Sequence, residues 1–427
     1  MNNKLVIRFT KPTQAETLMG VLFWLPFLVA LLTGLLGLPL SIQYICDAAW
    51  LSLLVLLLLQ RRPMGRDWRT VAIWSGAFFI WTALVYVVRY QSVFYYIWGL
   101  RNNFRFFAAF LAFAAFLKKR NVENIFKGLQ VLFWINIAVS LYQFFVMELS
   151  GDALGGLFGT KEGSNGYTNL FLLIITTHTM MLYLGKQEKV WYTVLKFLAI
   201  LLIATLAELK FFFVEFILVM VLSILFTSFT WRKLWLIVGG LVAVVLFARI
   251  LAVMFPKFAG FLAWEFFMET GLSDKGYTFS GDLNRLNAIG QINELWLTNG
   301  ADRLLGLGLG NCDVSRMSLF HTPFYELYGD MHYSWLSMAF MYLECGWVGL
   351  IFYAGFFVLL FIKIRKMEKH CDEAGKIYCR VGKITAIMCL IVMFYNSSLR
   401  AESAYMVYFV LAAPFAFCRT QKDEAKL

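Results

Sequence analysis

The stretch VLFWLPFLVALLTGLLGLPL, from Val21 to Leu40, decides the class of fold. It carries no charged residue over roughly 20 positions, the length that an α-helix needs to cross the hydrocarbon core of a bilayer. Trp50–Leu59 and Leu234–Val253 are similar apolar runs. Backbone polar groups in lipid must be satisfied within their own segment, so such runs form helices. These runs therefore predict a helical membrane protein.

The composition of the whole chain supports this prediction. Of its 427 residues, 60% are hydrophobic and only 15% are charged, and the mean hydropathy is +0.69. Soluble domains carry about 25% charged residues. Strand-like alternation is absent, which argues against a porin-type barrel. Hydropathy predicts an all-α polytopic membrane protein with about twelve transmembrane helices, in a single integral membrane domain spanning residues 1–427. The span centres lie near residues 27, 51, 80, 111, 136, 177, 199, 220, 244, 347, 391 and 410.

Basic residues mark one set of loops between these spans, for example residues 61–69, 118–127 and 363–383. The positive-inside rule places such loops in the cytoplasm, and both termini are then predicted to be cytoplasmic. The net charge of +12 follows from flanks that contact anionic lipid, and it does not indicate nucleic acid. We expect no cleavable signal peptide, because the first apolar run lacks a small-residue cleavage site.

Residues 256–332 form the longest polar stretch and lie between two late predicted spans. We interpret them as a large extracytoplasmic loop with short amphipathic helices. Apolar residues recur at helical spacing from 284 to 298, which predicts one such helix with Arg285 in its first turn. A helix start and a planar guanidinium both favour phosphate oxygens. Pairing of Arg285 with Asp282 or with a lipid headgroup is the alternative.

Two further features follow in this loop. Glycines alternate at positions 306, 308 and 310, which would let the backbone approach a ligand or another segment closely. His332 stands where the loop re-enters the membrane. An imidazole can take a proton from an attacking hydroxyl near neutral pH, and Asp330 or another carboxylate could orient it. A structural histidine at headgroup depth is the alternative.

Several charged residues lie at the predicted outer ends of spans, where ionisable groups are costly and suggest function. They are Arg101, Arg105, Glu208, Lys210, Arg249, Arg400 and Glu402. Together their cations could hold an anion at headgroup depth. Local pairing, such as Glu208 with Lys210 or Arg400 with Glu402, is the alternative. The seven cysteines show no CxxC pattern, and we predict neither a metal site nor a cofactor.

The order of these features resembles the bacterial O-antigen ligase and O-antigen or capsular polysaccharide polymerase superfamily. That family has one large outer loop with an Arg-led helix, a Leu-x-Gly-x-Gly stretch, a His at the next span and a Glu-x-Gly-x-x-Gly motif. The matching positions here are Arg285, Leu305 to Gly310, His332, and Glu344 to Gly349. The turn Gly156-Leu-Phe158-Gly159 with Asn165 also resembles a family motif, and Ala207 to Lys210 stands where many members carry Ser-Arg. The chain departs from the family in carrying Tyr333 where an Asn often follows the His.

The resemblance implies polymerisation of undecaprenyl-diphosphate-linked oligosaccharide repeat units at the outer face of the bacterial plasma membrane. His332 would act as the base toward an acceptor hydroxyl, and Arg285 would be the second catalytic residue. Diphosphate- or glycan-binding candidates are Lys210, Arg303, Arg101, Arg105, Asp330 and Glu208. The outer loops carry no Asp-x-Asp motif, so cations would balance the leaving-group charge without a metal. Expected partners are lipid-linked glycans, membrane lipids, and a flippase and chain-length regulator of the same pathway.

Three other functions remain open at this point. An O-antigen ligase, which transfers the polymer to lipid A core, would share the same motifs. A lipid-linked sugar flippase or transporter would also have many spans and buried charges, but we detect no repeat and no matching broken spans. A scaffold for polysaccharide assembly would have no need of Arg285 and His332.

Overall fold

The computed structural model describes residues 13–59, 66–161, 163–227, 231–254, 256, 282–315 and 317–418. Residues 257–281 of the predicted outer loop lie outside this description, as do the basic stretches 1–12, 60–65 and 419–427. Across the described ranges the chain forms helices and turns, with no β-strand. The all-α class is therefore confirmed for these residues.

Long helices account for most of the described chain. They are α1 (Gln14–Gly34), α2 (Ile45–Leu59), α3 (Arg66–Val88), α4 (Val93–Phe116), α5 (Lys119–Phe145), α6 (Ser164–Leu184), α7 (Val190–Leu206), α8 (Lys210–Leu225) and α9 (Trp231–Met254). Short helices α10 (Ala288–Leu295), α11 (Gly300–Leu305) and α12 (Pro323–Tyr328) follow, and then α13 (Ser337–Glu368), α14 (Glu373–Tyr395) and α15 (Ala404–Phe417). Every predicted span centre falls inside one of the long helices or α13–α15.

Membrane-spanning capacity is clearest for part of this set. Among the described residues, 7 helices are long and apolar enough to cross a membrane, and they lie in α1, α2, α3, α5, α6, α13 and α14. Shorter apolar helices lie in α7, α9 and α15. A helical membrane protein is thus supported, while the count of about twelve spans and their orientation remain predictions.

The last helix, α15, is the centre of the bundle. All of its residues are buried, and it packs against α4 and α14. A helix that is hydrophobic all round is expected in such a position. Aromatic side chains fill the space around it, including Phe106, which stacks with Tyr408 at 5.5 Å between ring centroids. This buried centre fixes the positions of the helix ends that carry the charged residues.

Short helices α10–α12 and their connecting turns cover one end of the bundle, which we call the loop face. The backbone N–H groups of Leu307 and Gly308 donate to the carbonyls of Leu343 and Glu344, at 2.9 and 2.8 Å. The segment therefore joins α13 by main-chain hydrogen bonds. Residues 282–336 are in this way fixed to the bundle rather than suspended above it.

The alternating glycines make this attachment possible. Gly306, Gly308 and Gly310 all have positive φ angles, and Gly346 breaks α13 with φ 63° and ψ −169°. A Cβ on Gly306 would lie 2.5 Å from the Glu344 backbone, and a Cβ on Gly99 would lie 2.6 Å from the nitrogen of Gly310. Only glycine permits such approaches. The sequence predicted that these glycines approach either a ligand or another segment closely, and the structure shows close approach to other segments.

A second turn, residues 151–160, folds back into the bundle at the same end. Gln143 in α5 accepts from the Gly156 nitrogen at 2.7 Å and donates to its carbonyl at 2.8 Å. Asn136 accepts from Leu157 at 2.8 Å. The Gly-x-Phe-Gly motif is therefore a buried turn that α5 holds by its side-chain amides.

Candidate active site

His332 and Asp282 form a hydrogen-bonded pair at the loop face. The imidazole Nδ1 lies 2.6 Å from Asp282 Oδ1. The histidine side chain is 34% exposed, whereas that of Asp282 is only 4% exposed. A buried carboxylate that accepts from Nδ1–H places the basic lone pair on Nε2. The pair thus resembles the base and orienting carboxylate of acyl-transfer enzymes, where the same division of roles holds.

The backbone of His332 has an uncommon conformation. Its φ of 52° and ψ of 27° lie in the left-handed region, which is uncommon for a residue with a side chain. The ring stacks on Trp335 at 3.8 Å between centroids, and Leu283 donates to the Met331 carbonyl at 3.1 Å. These contacts hold residues 282 and 332 together. Strained conformations kept by such contacts cluster at functional sites.

The orienting carboxylate is not the one that the sequence suggested. Asp330 is exposed and lies in a short 3-10 turn, Gly329–Met331, while the imidazole contacts Asp282 from the start of the described loop. Asp282 entered the sequence analysis only as an alternative partner of Arg285. The turn before His332 directs Asp330 into solvent, so a role in glycan binding remains a prediction for that residue.

Arg285 lies three residues from Asp282, and α10 begins only at Ala288. The prediction that Arg285 occupies the first turn of a helix from 284 to 298 was therefore wrong, because residues 285–287 form a turn and the helix follows them. The Asn284 nitrogen donates to Gln291 Oε1 at 3.0 Å. Arg285 stands in this turn before the helix, half-buried beside the His332 segment.

Arg285 is held against the end of α14. Its Nε donates to the Tyr395 carbonyl at 3.0 Å, and its guanidinium carbon lies 4.5 Å from the centre of the Tyr395 ring. The other side of that ring stacks on Phe211 at 4.2 Å and 13° between planes. Lys210 precedes Phe211 at the start of α8. Tyr395 therefore contacts both Arg285 and Phe211, the residue after Lys210, so the two segments lie next to each other.

Arg303 and Glu208, two further binding candidates, have separate surroundings. Arg303 is exposed on α11 and donates from Nε to the Leu297 carbonyl at 3.0 Å. Glu208 has a φ of 53°, and its carboxylate lies against Gly151 of the buried turn. Asn165 donates to Asp152 at 2.7 Å and to the Ala207 carbonyl at 3.1 Å. These contacts connect the α7–α8 turn to residues 151–165.

Arg101 and Arg105 belong to a network of charges beneath the loop. Arg101 donates to both oxygens of Asp47, at 2.9 Å from its terminal nitrogen. Arg105 donates to Glu402 at 2.8 Å. The alternative in which Arg400 pairs with Glu402 was wrong, since Glu402 pairs with Arg105 of α4, the helix that packs against α15.

Arg400 extends this network toward the loop. Its nearest carboxylate is that of Asp313, at 3.5 Å, and Asn102 donates to the same carboxylate at 2.6 Å. Glu344 accepts from the Cys312 nitrogen at 3.1 Å. Three arginines thus contact carboxylates from α2, the loop and the turn before α15. These arginines are therefore paired with carboxylates, but the partners are distant in sequence and are not the local ones that the alternative named.

The direction of the pKa shift of Glu402 agrees with an ionised carboxylate paired with arginines. Burial acts to raise the pKa of Glu402, but the guanidinium groups of Arg105 and Arg101 hold the pKa of this carboxyl below its usual range. Burial, with Glu344 and Asp313 nearby, raises the pKa of the Cys312 thiol well above its usual value. A thiol in that state is a poor nucleophile. Cys312, the cysteine predicted in the outer loop, is therefore a structural residue.

Tyr333, which replaces the Asn often found in the family, is part of the loop core. It is fully buried and donates to the Cys312 carbonyl at 2.7 Å. Its ring packs edge-on against Trp296 and Phe324. Burial raises the pKa of its hydroxyl. The residue after His332 thus anchors the loop, so this departure from the family pattern leaves the imidazole in place.

Three carboxylates of this region were not predicted in the roles that the structure gives them. Asp282 completes the histidine pair, while Asp47 and Asp313 neutralise arginines. Asp47 carried a signal, since an acid near the start of an apolar segment usually faces a cation. Asp282 and Asp313 carried none, because short polar loops contain many acids and spacing does not reveal which one faces inward.

No family model matches this chain, and no curated protein sequence matches it. The resemblance to the O-antigen ligase and polymerase superfamily therefore rests on the order of short motifs. The geometry described above stands independently of that resemblance.

Proposed function

We propose that the protein is a glycosyltransferase that polymerises lipid-diphosphate-linked oligosaccharide repeat units at the loop face. The observation that carries this proposal is the Asp282–His332 pair beside Arg285. It combines a half-exposed base, a buried orienting carboxylate and a cation on one stretch of loop. These are the groups that a transfer from a phosphate leaving group to a hydroxyl requires.

In the proposed step, Nε2 of His332 accepts the proton of the acceptor hydroxyl. The hydroxyl oxygen then attacks the anomeric carbon of the donor, and the bond from that carbon to the diphosphate oxygen breaks. The electron pair remains on the diphosphate, whose charge Arg285 balances together with Lys210, the residue before the Phe211 that stacks on Tyr395. Asp282 stabilises the imidazolium that forms. A single displacement of this kind inverts the anomeric centre.

In this proposal the diphosphate binds Arg285 and Lys210, and the arginines of α4, Arg101 and Arg105, do not bind it. Arg101 and Arg105 contact Asp47 and Glu402, and a buried charge pair is costly to break. Releasing them to a substrate would expose uncompensated carboxylates. We therefore infer that they support the loop face and do not hold the leaving group.

The test is glycan chain length in cells that lack the native copy and carry wild type, His332→Ala or Arg285→Ala. We expect single repeats in place of the wild-type ladder for both variants, because general-base catalysis contributes roughly 10²–10⁴-fold and charge stabilisation of a leaving group is of similar size. Arg303→Ala is the comparison, since its exposed side chain on α11 donates to the Leu297 carbonyl, and a wild-type ladder would remove it from the binding candidates. Membrane abundance of each variant must equal that of wild type.

The same experiment separates the alternatives. Polymer that persists on its lipid carrier but is missing from lipid A core would identify a ligase. Variants that match wild type would exclude the proposed site and favour transport or scaffolding. Equal losses for Arg303→Ala and Arg285→Ala would show that the loop acts as a general basic surface and not through the pair described here.

A further inference from the structure

Three cysteines from separate segments meet at the end of the bundle opposite the loop face. Cys371 lies in the turn between α13 and α14, Cys379 in α14, and Cys418 directly after α15. Cys371 and Cys418 form a disulfide, with their Cα atoms 5.5 Å apart. The Cys379 sulfur lies 3.6 Å from that of Cys371 and 3.8 Å from that of Cys418.

Once the bond between Cys371 and Cys418 is reduced and their sulfurs separate, this cluster has the dimensions of a thiolate metal site. All three sulfur atoms lie within 4.8 Å of one another. Zinc binds cysteine sulfur at about 2.3 Å, which sets neighbouring sulfurs in a tetrahedral site about 3.8 Å apart. Cys379 already has this spacing to both partners. Cys371 and Cys379 are buried, and Cys418 is partly exposed, so one side of the cluster remains accessible to a fourth ligand.

The position of the cluster bears on its redox state. α13 starts at the loop face, where Ser337 donates to the Asn396 carbonyl, and ends at Glu368 near the cysteines. The surrounding turn is basic, and the positive-inside rule predicts that it faces the cytoplasm. Cysteines there are kept reduced, and clustered cysteines in that compartment more often bind metal than form stable disulfides.

We propose that the reduced forms of Cys371, Cys379 and Cys418 bind one Zn²⁺ ion. A cytoplasmic dithiol supplies two electrons and two protons that convert the Cys371–Cys418 disulfide into two thiols. Zn²⁺ then displaces the three thiol protons and takes a water, or the adjacent His370, as its fourth ligand. The metal joins the ends of α13, α14 and α15. This inference is independent of the proposed glycosyl transfer.

The charges around the cluster suit this occupant. One Zn²⁺ with three thiolates carries a net charge of −1. Arg380 and Lys383, in the same helix as Cys379, pair with Glu368 at 2.9 and 2.5 Å, and Asp372 lies beside Cys371, so the two cations and two carboxylates cancel. The surroundings therefore add no net repulsion toward the site. The sulfurs are soft ligands, which select zinc or monovalent copper.

The experiment measures bound zinc in the full-length, tag-free protein, purified under reducing conditions and dialysed against metal-depleted buffer. We expect about one zinc per chain in wild type and none in Cys379→Ser at the same zinc concentration. Loss of a ligand should weaken binding by more than the roughly 10–100-fold that a lost outer partner costs. Cys389→Ser is the matched control, because this buried cysteine lies on the same helix outside the cluster.

A second measurement keeps the proposal testable if Cys379→Ser fails to fold. Co²⁺ added to reduced wild type should give the sulfur-to-metal charge-transfer absorption of a thiolate site, and Zn²⁺ should abolish it. Equal zinc in wild type and Cys379→Ser would overturn the proposal. Mass spectrometry of acid-quenched, alkylated cells that finds Cys371 and Cys418 protected in every chain would also overturn it, because the pair is then a permanent disulfide. Preference for monovalent copper over zinc would likewise contradict it.

Discussion

Asp282 is the residue on which the proposed chemistry depends most directly. Its carboxylate is buried and its partner imidazole is half-exposed, so the pair directs one ring nitrogen inward and leaves the other for a substrate. Asp330, only two residues from His332, is exposed instead. Two acids of the same type therefore differ in role because of burial alone.

Asp282→Asn tests this difference at the scale of one residue. The amide keeps the size of the side chain but does not stabilise the imidazolium, and it can hold the wrong tautomer. We expect polymerisation in purified membranes to fall by on the order of 10²-fold or more, and to fall much less for Asp330→Asn, whose exposed carboxylate does not contact the imidazole. The measurement is the initial rate of chain extension with a defined lipid-linked repeat. Equal rates for the two variants would contradict a role for Asp282.

At the scale of elements, the glycine turn between α11 and the loop core decides how closely the loop approaches α4. Gly310 has a φ of 87°, and a Cβ there would overlap the Tyr95 carbonyl oxygen. The Leu-x-Gly-x-Gly stretch, on which the family resemblance partly rests, therefore allows two segments of this chain to pack closely. The close approach of the loop also brings Asp313 within 3.5 Å of Arg400. This ion pair joins the glycine turn to the charge network.

Gly310→Ala is accordingly expected to be among the more damaging single substitutions. The added Cβ must displace backbone, so the free energy of unfolding should fall by more than roughly 4 kcal/mol, the range reserved for exceptional mutations. Gly163→Ala is the control, since Gly163 has a similar φ of 84° and nothing within 4 Å of its notional Cβ. It should cost only about 1–2 kcal/mol for the left-handed backbone.

These two variants are compared by their thermal aggregation midpoints in detergent and by their membrane abundance. A Gly310→Ala protein as stable as Gly163→Ala would show that the turn and α4 separate without penalty. In that case the loop would not be fixed to the bundle in the way described.

At the scale of the whole molecule, two kinds of candidate site lie at opposite ends of the helix bundle. The loop face carries Arg285, His332 and the charge network, and the other end carries the cysteine cluster. Which end faces the cytoplasm is a prediction from basic residues. Both proposals depend on that orientation.

Labelling of single added cysteines with a membrane-impermeant maleimide tests the orientation. We expect Glu326→Cys, on exposed α12, to react in intact cells, and Lys369→Cys, in the turn after α13, to react only after permeabilisation. Wild type labelled in parallel sets the background, since Cys418 is partly exposed and, when reduced, reacts on the same side as Lys369→Cys, whereas Cys46, Cys312, Cys345, Cys379 and Cys389 are buried. The reverse pattern would place the loop face in the cytoplasm.

The sequence by itself determined that this protein is helical and suited to a membrane, because apolar length and composition act locally and need no partner. It also identified His332 and Arg285, whose residue types suggest chemistry on their own. Only the tertiary structure decided that Asp282 faces His332, that Asp47, Asp313 and Glu402 neutralise the arginines, and that three cysteines meet. Those pairings join residues up to 297 positions apart. Spacing along a chain carries no information about such contacts, since they depend on how whole helices pack.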